Sequence, residues 1–250
     1  RKTLRPGGMA LRVFPSLIYG EGHAYANPFS GAGTVDSVTE ITLADLKSFH
    51  STWFKPNNAT MIVVGDITMD QALPLLEEKF SKWQKGEVPT KNISEVTRAT
   101  TPTIYLIDRP DSVQSVIFGG HATTPKANPI EIPTILMNEV LGGSSTSRVN
   151  MNLREDKGWS YGAGTGIFNA RGPRFFYASA NVQSDKTAAS IGEMMKELTG
   201  FLSAQPITAE ELAKAKQNNT LSLPGQWETG SAVMGSLSQI VQYDLAADYF

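Results

Sequence analysis

Apolar residues recur at helical spacing in several stretches of the chain. The stretch 42–53 is the clearest, because its apolar positions are three or four residues apart, the period of an amphipathic helix. Thr42 opens it with a capping box, since an acidic side chain follows three residues later. Its apolar positions are Leu43, Leu46, Phe49 and Trp53. Further helices are predicted from about Asp70, from Asn128 to Gly142, up to Arg154, from Ser184 and from Thr208.

Short runs of β-branched and aromatic residues predict strands between these helices. The predicted strands are 60–64, 104–107, 115–119, 159–168 and 175–182. The last two flank Arg171-Gly172-Pro173 and are expected to pair. The order of strands and helices predicts an α+β fold with mixed or antiparallel sheets and helices packed on one face.

Residues 86–102 are polar and rich in Thr, Ser, Lys and Asn, which is typical of a linker. They separate two parts of the chain, residues 1–85 and 103–250. We therefore expect two units.

Composition narrows the functional classes. The chain has 250 residues, 40% of them hydrophobic, and a formal net charge of −2. That charge predicts binding neither to nucleic acid nor to an anionic membrane. Apolar runs such as Met61 to Val64 are too short for a membrane span. The absence of cysteine excludes disulfides and thiolate metal sites.

The segment from Leu153 to Tyr161 carries the strongest candidate chemistry. A helix that ends near Lys157 and turns at Gly158 into a strand would bring Arg154 and Tyr161 to one cavity. Arginine offers a fork of donors for carbonyl or carboxylate oxygens, and tyrosine adds a phenolic donor. Such a pair suits holding a peptide and stabilising an oxyanion. The alternatives are a helix C-terminal cation and a half-buried strand aromatic.

Other candidate motifs are less specific. The three histidines, His23, His50 and His121, are too scattered for a metal motif, and structural roles are expected for the first two. Gly142-Gly143-Ser144-Ser145 could cradle an anion, but a turn between helices explains it better.

Several segments together resemble the pitrilysin/insulinase family of zinc peptidases, the inverzincins. They are Tyr19 through Tyr25, Trp53 through Thr60, Val63-Val64-Gly65-Asp66, Leu141-Gly142-Gly143 with Ser147-Arg148, and Leu153 through Tyr161. The resemblance implies the mitochondrial-processing-peptidase-like fold, in which repeated halves enclose a chamber. In that family one half carries zinc on an H-x-x-E-H helix, and this chain contains no such motif. Zinc is therefore expected only in the parent assembly.

The resemblance further implies that the chain is the zinc-free half of a bacterial member, with Arg154 and Tyr161 at the positions that reach toward substrate. Residues 1–85 resemble the closing part of one repeat and 103–250 the opening part of the next, so we expect an internal fragment. The two parts could pack as one permuted domain, or exchange in a homodimer. Relatives of this type suggest a periplasmic location.

The leading hypothesis is a substrate-holding portion of a metallopeptidase, with a peptide substrate and a zinc-bearing domain or subunit of the same family as partners. The second hypothesis is a noncatalytic scaffold or assembly module of the same fold. An autonomous enzyme is the weakest hypothesis, because the chain has no recognisable nucleophile–base pair or metal cluster.

Overall fold

A computed structural model describes residues 6–250. In chain order the helices are α1 (Pro6–Tyr19), α2 (Val35–Glu40), α3 (Leu43–Trp53), α4 (Met69–Phe80), α5 (Glu131–Asn138), α6 (Arg148–Asn150), α7 (Thr187–Phe201), α8 (Ala209–Ser222) and α9 (Gly230–Tyr243). The strands are β1 (Gln114–Thr123), β2 (Ser160–Ile167) and β3 (Arg174–Gln183). Segments of π-helix, Glu139–Gly143 and Met151–Asp156, continue α5 and α6. Between residues 6 and 250, no helix is long and apolar enough to cross a bilayer.

The chain divides into two compact units. The first, the sheet unit, contains residues 6–31 and 93–221; the second, the helical unit, contains residues 32–92 and 222–250. The sequence predicted two family repeats, one ending at residue 85 and the next beginning at 103. This stays a prediction, because a division into compact units does not show where a repeat of the family begins or ends.

The sheet unit is built on one antiparallel sheet with strand order β1-β3-β2. Strands β2 and β3 pair as the sequence predicted, with Thr165 opposite Ala178. The α+β class and the antiparallel sheet are thereby confirmed. Along β3, alternate side chains enter two different apolar clusters, as the two-residue period of a strand requires. One contains Leu141, Val149, Leu153, Ala178, Ala180, Val182 and Met194; the other contains Phe14, Tyr19 and Phe175.

A buried ion pair that the sequence did not reveal joins β3 to α5. The Arg174 guanidinium donates to both carboxylate oxygens of Glu131, at 3.0 and 2.5 Å, and to the Thr124 carbonyl at 2.8 Å. Asn128 donates to the same carboxylate at 2.9 Å. Arg174 is 1% exposed and Glu131 3%. Such a pair tolerates burial because its opposite charges are in contact and hydrogen-bonded. Lys126 lies 3.5 Å from the same carboxylate, so two cations share it.

Helical start signals predicted α3 and α4 of the helical unit, whereas α2 was not predicted. Thr42 accepts a hydrogen bond from the Asp45 amide while the Asp45 carboxylate accepts one from the Thr42 amide, so the predicted capping box is confirmed. Thr34 and Thr68 form similar boxes ahead of α2 and α4. Helix α4 begins at Met69, one residue before the predicted start.

Two strand predictions were wrong. Residues 60–64 and 104–107 form no strand, and Ile104 and Leu106 are 84% and 90% exposed. A run of strand-forming residues becomes a strand only when a neighbouring strand accepts and donates its backbone hydrogen bonds. Sequence composition does not show whether such a neighbour is present. All three strands of the described residues lie within 114–183, so residues 6–85 share no sheet with the later part in this chain. They contribute α1, which packs on β1.

Candidate functional site

The helix before the candidate site ends where the sequence predicted. After Asp156 the chain reverses through Gly158, whose φ of +65° is a left-handed conformation that glycine adopts at little cost. The Lys157 amide donates to the Asn152 carbonyl, and the Trp159 amide donates to the Leu153 carbonyl, each at 3.0 Å. Two orphan carbonyls of the helix end are thus satisfied, and the chain continues directly into β2.

A shallow, open cleft of about 330 Å³ lies between this helix and β2. Its walls are mostly small residues that expose backbone, with one cation among them. The lining residues are Gly142, Gly143, Ser144, Ser145, Asn150, Arg154, Gly162, Ala163, Gly164 and Ser179. A cleft of this composition offers backbone hydrogen-bonding groups and one positive charge, which suits an extended peptide better than a bulky apolar ligand.

Close approach of the π-helical segment to β2 explains the glycines of the cleft. A Cβ added at Gly142 would lie 2.3 Å from the Thr165 amide nitrogen, and one at Gly164 would lie 2.4 Å from the Gly142 carbonyl oxygen. Neither position has room for a side chain. Gly142 therefore serves helix–strand packing, while a Cβ at Gly143 would meet Asn138 of α5. Both roles are closer to the structural interpretation than to an anion cradle.

Arg154 lines the cleft and is half-exposed. Its side chain is 50% exposed, and its Nε lies 3.2 Å from the Glu155 carboxylate. An ion pair between neighbouring exposed residues contributes little stability, typically under about 1 kcal/mol. A ligand carboxylate or carbonyl could therefore replace Glu155 at small cost.

Tyr161 lies at an irregularity in β2. The pairing register of β2 with β3 shifts between Ser160 and Ala163, so Tyr161 and Gly162 form a bulge. Tyr161 is 89% exposed. It is next in sequence to Gly162, which lines the cleft, but it is not itself among the lining residues. The structure thus brings Arg154 into the cleft and leaves Tyr161 at its edge.

Asn150 is a cleft residue that the sequence did not single out. It is 5% exposed, and its amide Nδ2 donates to the Ser145 carbonyl at 2.6 Å. Its Oδ1 accepts from the Ala163 amide at 3.3 Å. The sequence offered one signal for this residue. Asparagine is a weak helix former, yet it lies in a helix between the apolar residues Val149 and Leu153.

Arg148, the second arginine near the site, is engaged away from the cleft. Its guanidinium makes a two-pronged contact with Glu211, Nε to Oε1 at 2.7 Å and Nη2 to Oε2 at 2.6 Å. It also donates to the carbonyls of Gln205 and Pro206 and lies 5.0 Å from the ring centroid of Phe201. Hydrogen bonding to Arg148 lowers the pKa of Glu211 to about 2. Arg148 therefore anchors the start of α8.

The histidines do not fit a zinc site. The His23 ring Nδ1 accepts from the Tyr25 amide, which leaves the proton on Nε2, 3.0 Å from the Ser94 carbonyl oxygen. The ring of His50 stacks on Phe54 at 4.8 Å. Nδ1 of His121 donates to the Ala122 carbonyl. Across residues 6–250, no group of three or more His, Cys, Asp or Glu side chains is placed to hold a metal ion.

Comparison with known proteins decides the family. A sequence model of the family described as "Peptidase M16 inactive domain" matches residues 40–219. The chain belongs to this family. The predicted membership of the pitrilysin/insulinase peptidases, in their zinc-free domain and of bacterial type, is confirmed. An uncharacterized zinc protease of Mycobacterium leprae is 24% identical to this M16 domain over 210 residues, 82% of the chain. The chain spans 45% of that protein's length, about half.

Solved structures match the fold of this chain. A peptidase M16 inactive domain from Pseudomonas fluorescens superposes on 99% of this M16 domain with a TM-score of 0.88 at 22% identity, over 57% of that chain. The periplasmic protease PqqL from Escherichia coli superposes on 97% with a TM-score of 0.74 at 17% identity, over 27% of that chain. At these identities the likeness shows the fold. The metallopeptidase fold predicted from the sequence is thus confirmed.

Proposed function

We propose that this M16 domain is the zinc-free, substrate-holding portion of a chamber-type zinc metallopeptidase that degrades peptides. The observation that carries the proposal is the cleft, in which the half-exposed Arg154 faces walls of glycine and serine backbone. Tyr161 stands at its edge on a bulge, with its side chain almost fully exposed. Bulges often re-aim a side chain beside an active site.

The two side chains have distinct roles in this proposal. Arg154 binds main-chain or carboxylate oxygens of the peptide, exchanging its surface contact with Glu155 for the ligand. The Tyr161 hydroxyl donates a hydrogen bond to the substrate carbonyl oxygen as that oxygen gains negative charge. Donors that act on developing charge contribute mainly to the transition state.

The zinc of this peptidase must come from elsewhere, because the sequence has no H-x-x-E-H motif and residues 6–250 place no group of three or more His, Cys, Asp or Glu side chains to hold a metal ion. We propose a zinc-bearing domain or subunit of the same family as the partner. The likeness to a periplasmic protease of Escherichia coli supports a bacterial periplasmic location for the proposed enzyme.

Peptide hydrolysis by the complete protein tests the proposal, with zinc content measured alongside. We expect Tyr161→Phe to lower kcat about a hundredfold with little change in KM, and Arg154→Ala to lower kcat/KM by a similar factor. Zinc content should stay unchanged. Tyr105→Phe and Arg109→Ala are matched controls, since both residues are exposed and lie outside the cleft. Full activity in both site variants would refute the substrate-holding role.

The second candidate function is a noncatalytic scaffold of the same fold. The contact of Arg154 with Glu155 favours it, because an arginine that already has a carboxylate partner can serve the helix end alone. Peptide binding measured by calorimetry separates the two functions. Binding that Arg154→Ala abolishes supports the substrate-holding role, and absence of binding supports the scaffold.

A further inference from the structure

The two walls of the cleft come from segments that are far apart in sequence, and one side chain contacts both. The first wall is the segment 142–145, which includes the end of the π-helix, and the second is the bulge of β2 at 160–163. Asn150 donates to the Ser145 carbonyl in the first wall at 2.6 Å and accepts from the Ala163 amide in the second at 3.3 Å. It is 5% exposed, so water cannot easily substitute for either bond.

The bulge that carries Tyr161 is held at both ends. At one end the Ser160 hydroxyl accepts from the Gly162 amide at 3.1 Å and donates to the Asn181 carbonyl at 2.7 Å. At the other end the Ala163 amide is held by Asn150. The backbone of Tyr161 and Gly162 lies between these two anchors, so moving either anchor changes where the phenol stands.

The chemistry of the two bonds explains why this position carries asparagine. One bond needs a donor and the other an acceptor, and a side-chain amide supplies both from one planar group. Aspartate would keep only the acceptor. Serine is too short to reach both walls. An apolar residue would leave a buried carbonyl and a buried amide unsatisfied, which costs more than the bonds contribute.

We propose that Asn150 is a positioning residue that sets the distance between the cleft walls and thereby the placement of Tyr161 and Arg154 on a bound peptide. Arg154 follows it by one helical turn on the same helix, so Asn150 fixes the bulge relative to the helix face that carries the arginine. This inference rests on the proposed substrate-holding function.

A double-mutant cycle in the complete protein tests the inference. We expect Asn150→Ser to lower kcat about 10- to 100-fold with a smaller change in KM, because small misplacements of a substrate-contacting group are costly. In the Tyr161→Phe background the same change should cause a clearly smaller further loss of kcat, since the phenol is already gone and only the placement of Arg154 is still affected. Asn150→Asp keeps the bond to Ala163 and should give an intermediate loss of kcat. If the serine variant does not fold, the same double-mutant cycle is measured with Asn150→Asp.

Asn152 provides a matched control. It is also buried, at 8% exposed, and lies two residues away, but its amide donates to Glu193 and Glu197 of α7 and does not reach the cleft. Asn152→Ser should lower the thermal midpoint and leave the kcat of the folded protein unchanged.

Each outcome is decisive. Equal kcat losses from Asn150→Ser with and without Tyr161, or no loss at all, would overturn the positioning role while leaving the proposed function intact. Unchanged kcat in Tyr161→Phe alone would instead refute the role proposed for Tyr161 in substrate holding, whatever Asn150 does.

Discussion

Three helices of the sheet unit and three of the helical unit are held in different ways, although α8 of the sheet unit also begins with a capping box at Thr208. In the sheet unit, helices α5, α6 and α7 have no side-chain cap, yet they pack on a core in which Leu153, Phe175 and Val182 are at most 1% exposed. In the helical unit, α2, α3 and α4 each have a complete capping box and no buried residue. Helices with a core beneath them can omit caps, whereas helices without one depend on local signals.

The buried ion pair of the sheet unit should give the largest response. Glu131→Ala leaves the Arg174 guanidinium buried without its carboxylate, and we expect a loss of about 3–5 kcal/mol. Hydrogen exchange should show faster exchange throughout β3 and unchanged exchange in α3. Glu131→Gln, which keeps the shape and part of the hydrogen bonding, serves as the control and should lose less. Equal acceleration of exchange in β3 and α3 would contradict this expectation.

Acid should weaken the sheet unit through Glu211. Its folded pKa, about 2, lies below the ordinary value of 4.5 that it regains on unfolding. The unfolded chain therefore binds the proton more tightly, so this stabilisation is complete above pH 4.5 and disappears as the pH falls toward 2. Because the side chain is 30% exposed, we expect about 1–2 kcal/mol. Urea midpoints measured across that pH range should fall less steeply in Glu211→Gln.

Removal of a cap should give a smaller effect confined to the helical unit. Thr42→Ala deletes one capping box, and we expect a loss of about 1 kcal/mol. Hydrogen exchange should accelerate in α3 and stay constant in β3. Leu46→Ser is the matched control, since this leucine is 58% exposed and its change should cost under about 0.5 kcal/mol. A larger loss from Leu46→Ser than from Thr42→Ala would show that α3 has a core after all.

Prediction from sequence succeeded where the signal was local. The capping box at Thr42, the turn at Gly158 and the pairing of β2 with β3 all follow from residues close together in the chain. It failed at residues 104–107, where strand formation needs a neighbour that no local pattern specifies. The substrate-binding roles of Arg154 and Tyr161 stay predictions, supported by the place of the arginine in the cleft.

By itself the sequence determined the α+β class and the helix ends around Arg154, because caps, glycine turns and hydrophobic periods act over a few residues. Its motifs, such as Leu153 through Tyr161, carried the resemblance to the family. Only the tertiary structure decided that Arg148 is held by Glu211, that Asn150 joins the two walls of the cleft and that Glu131 is buried against Arg174. Those contacts join residues 5 to 63 positions apart. Which distant polar groups meet depends on how the sheet and helices pack, and the packing is a property of the whole core.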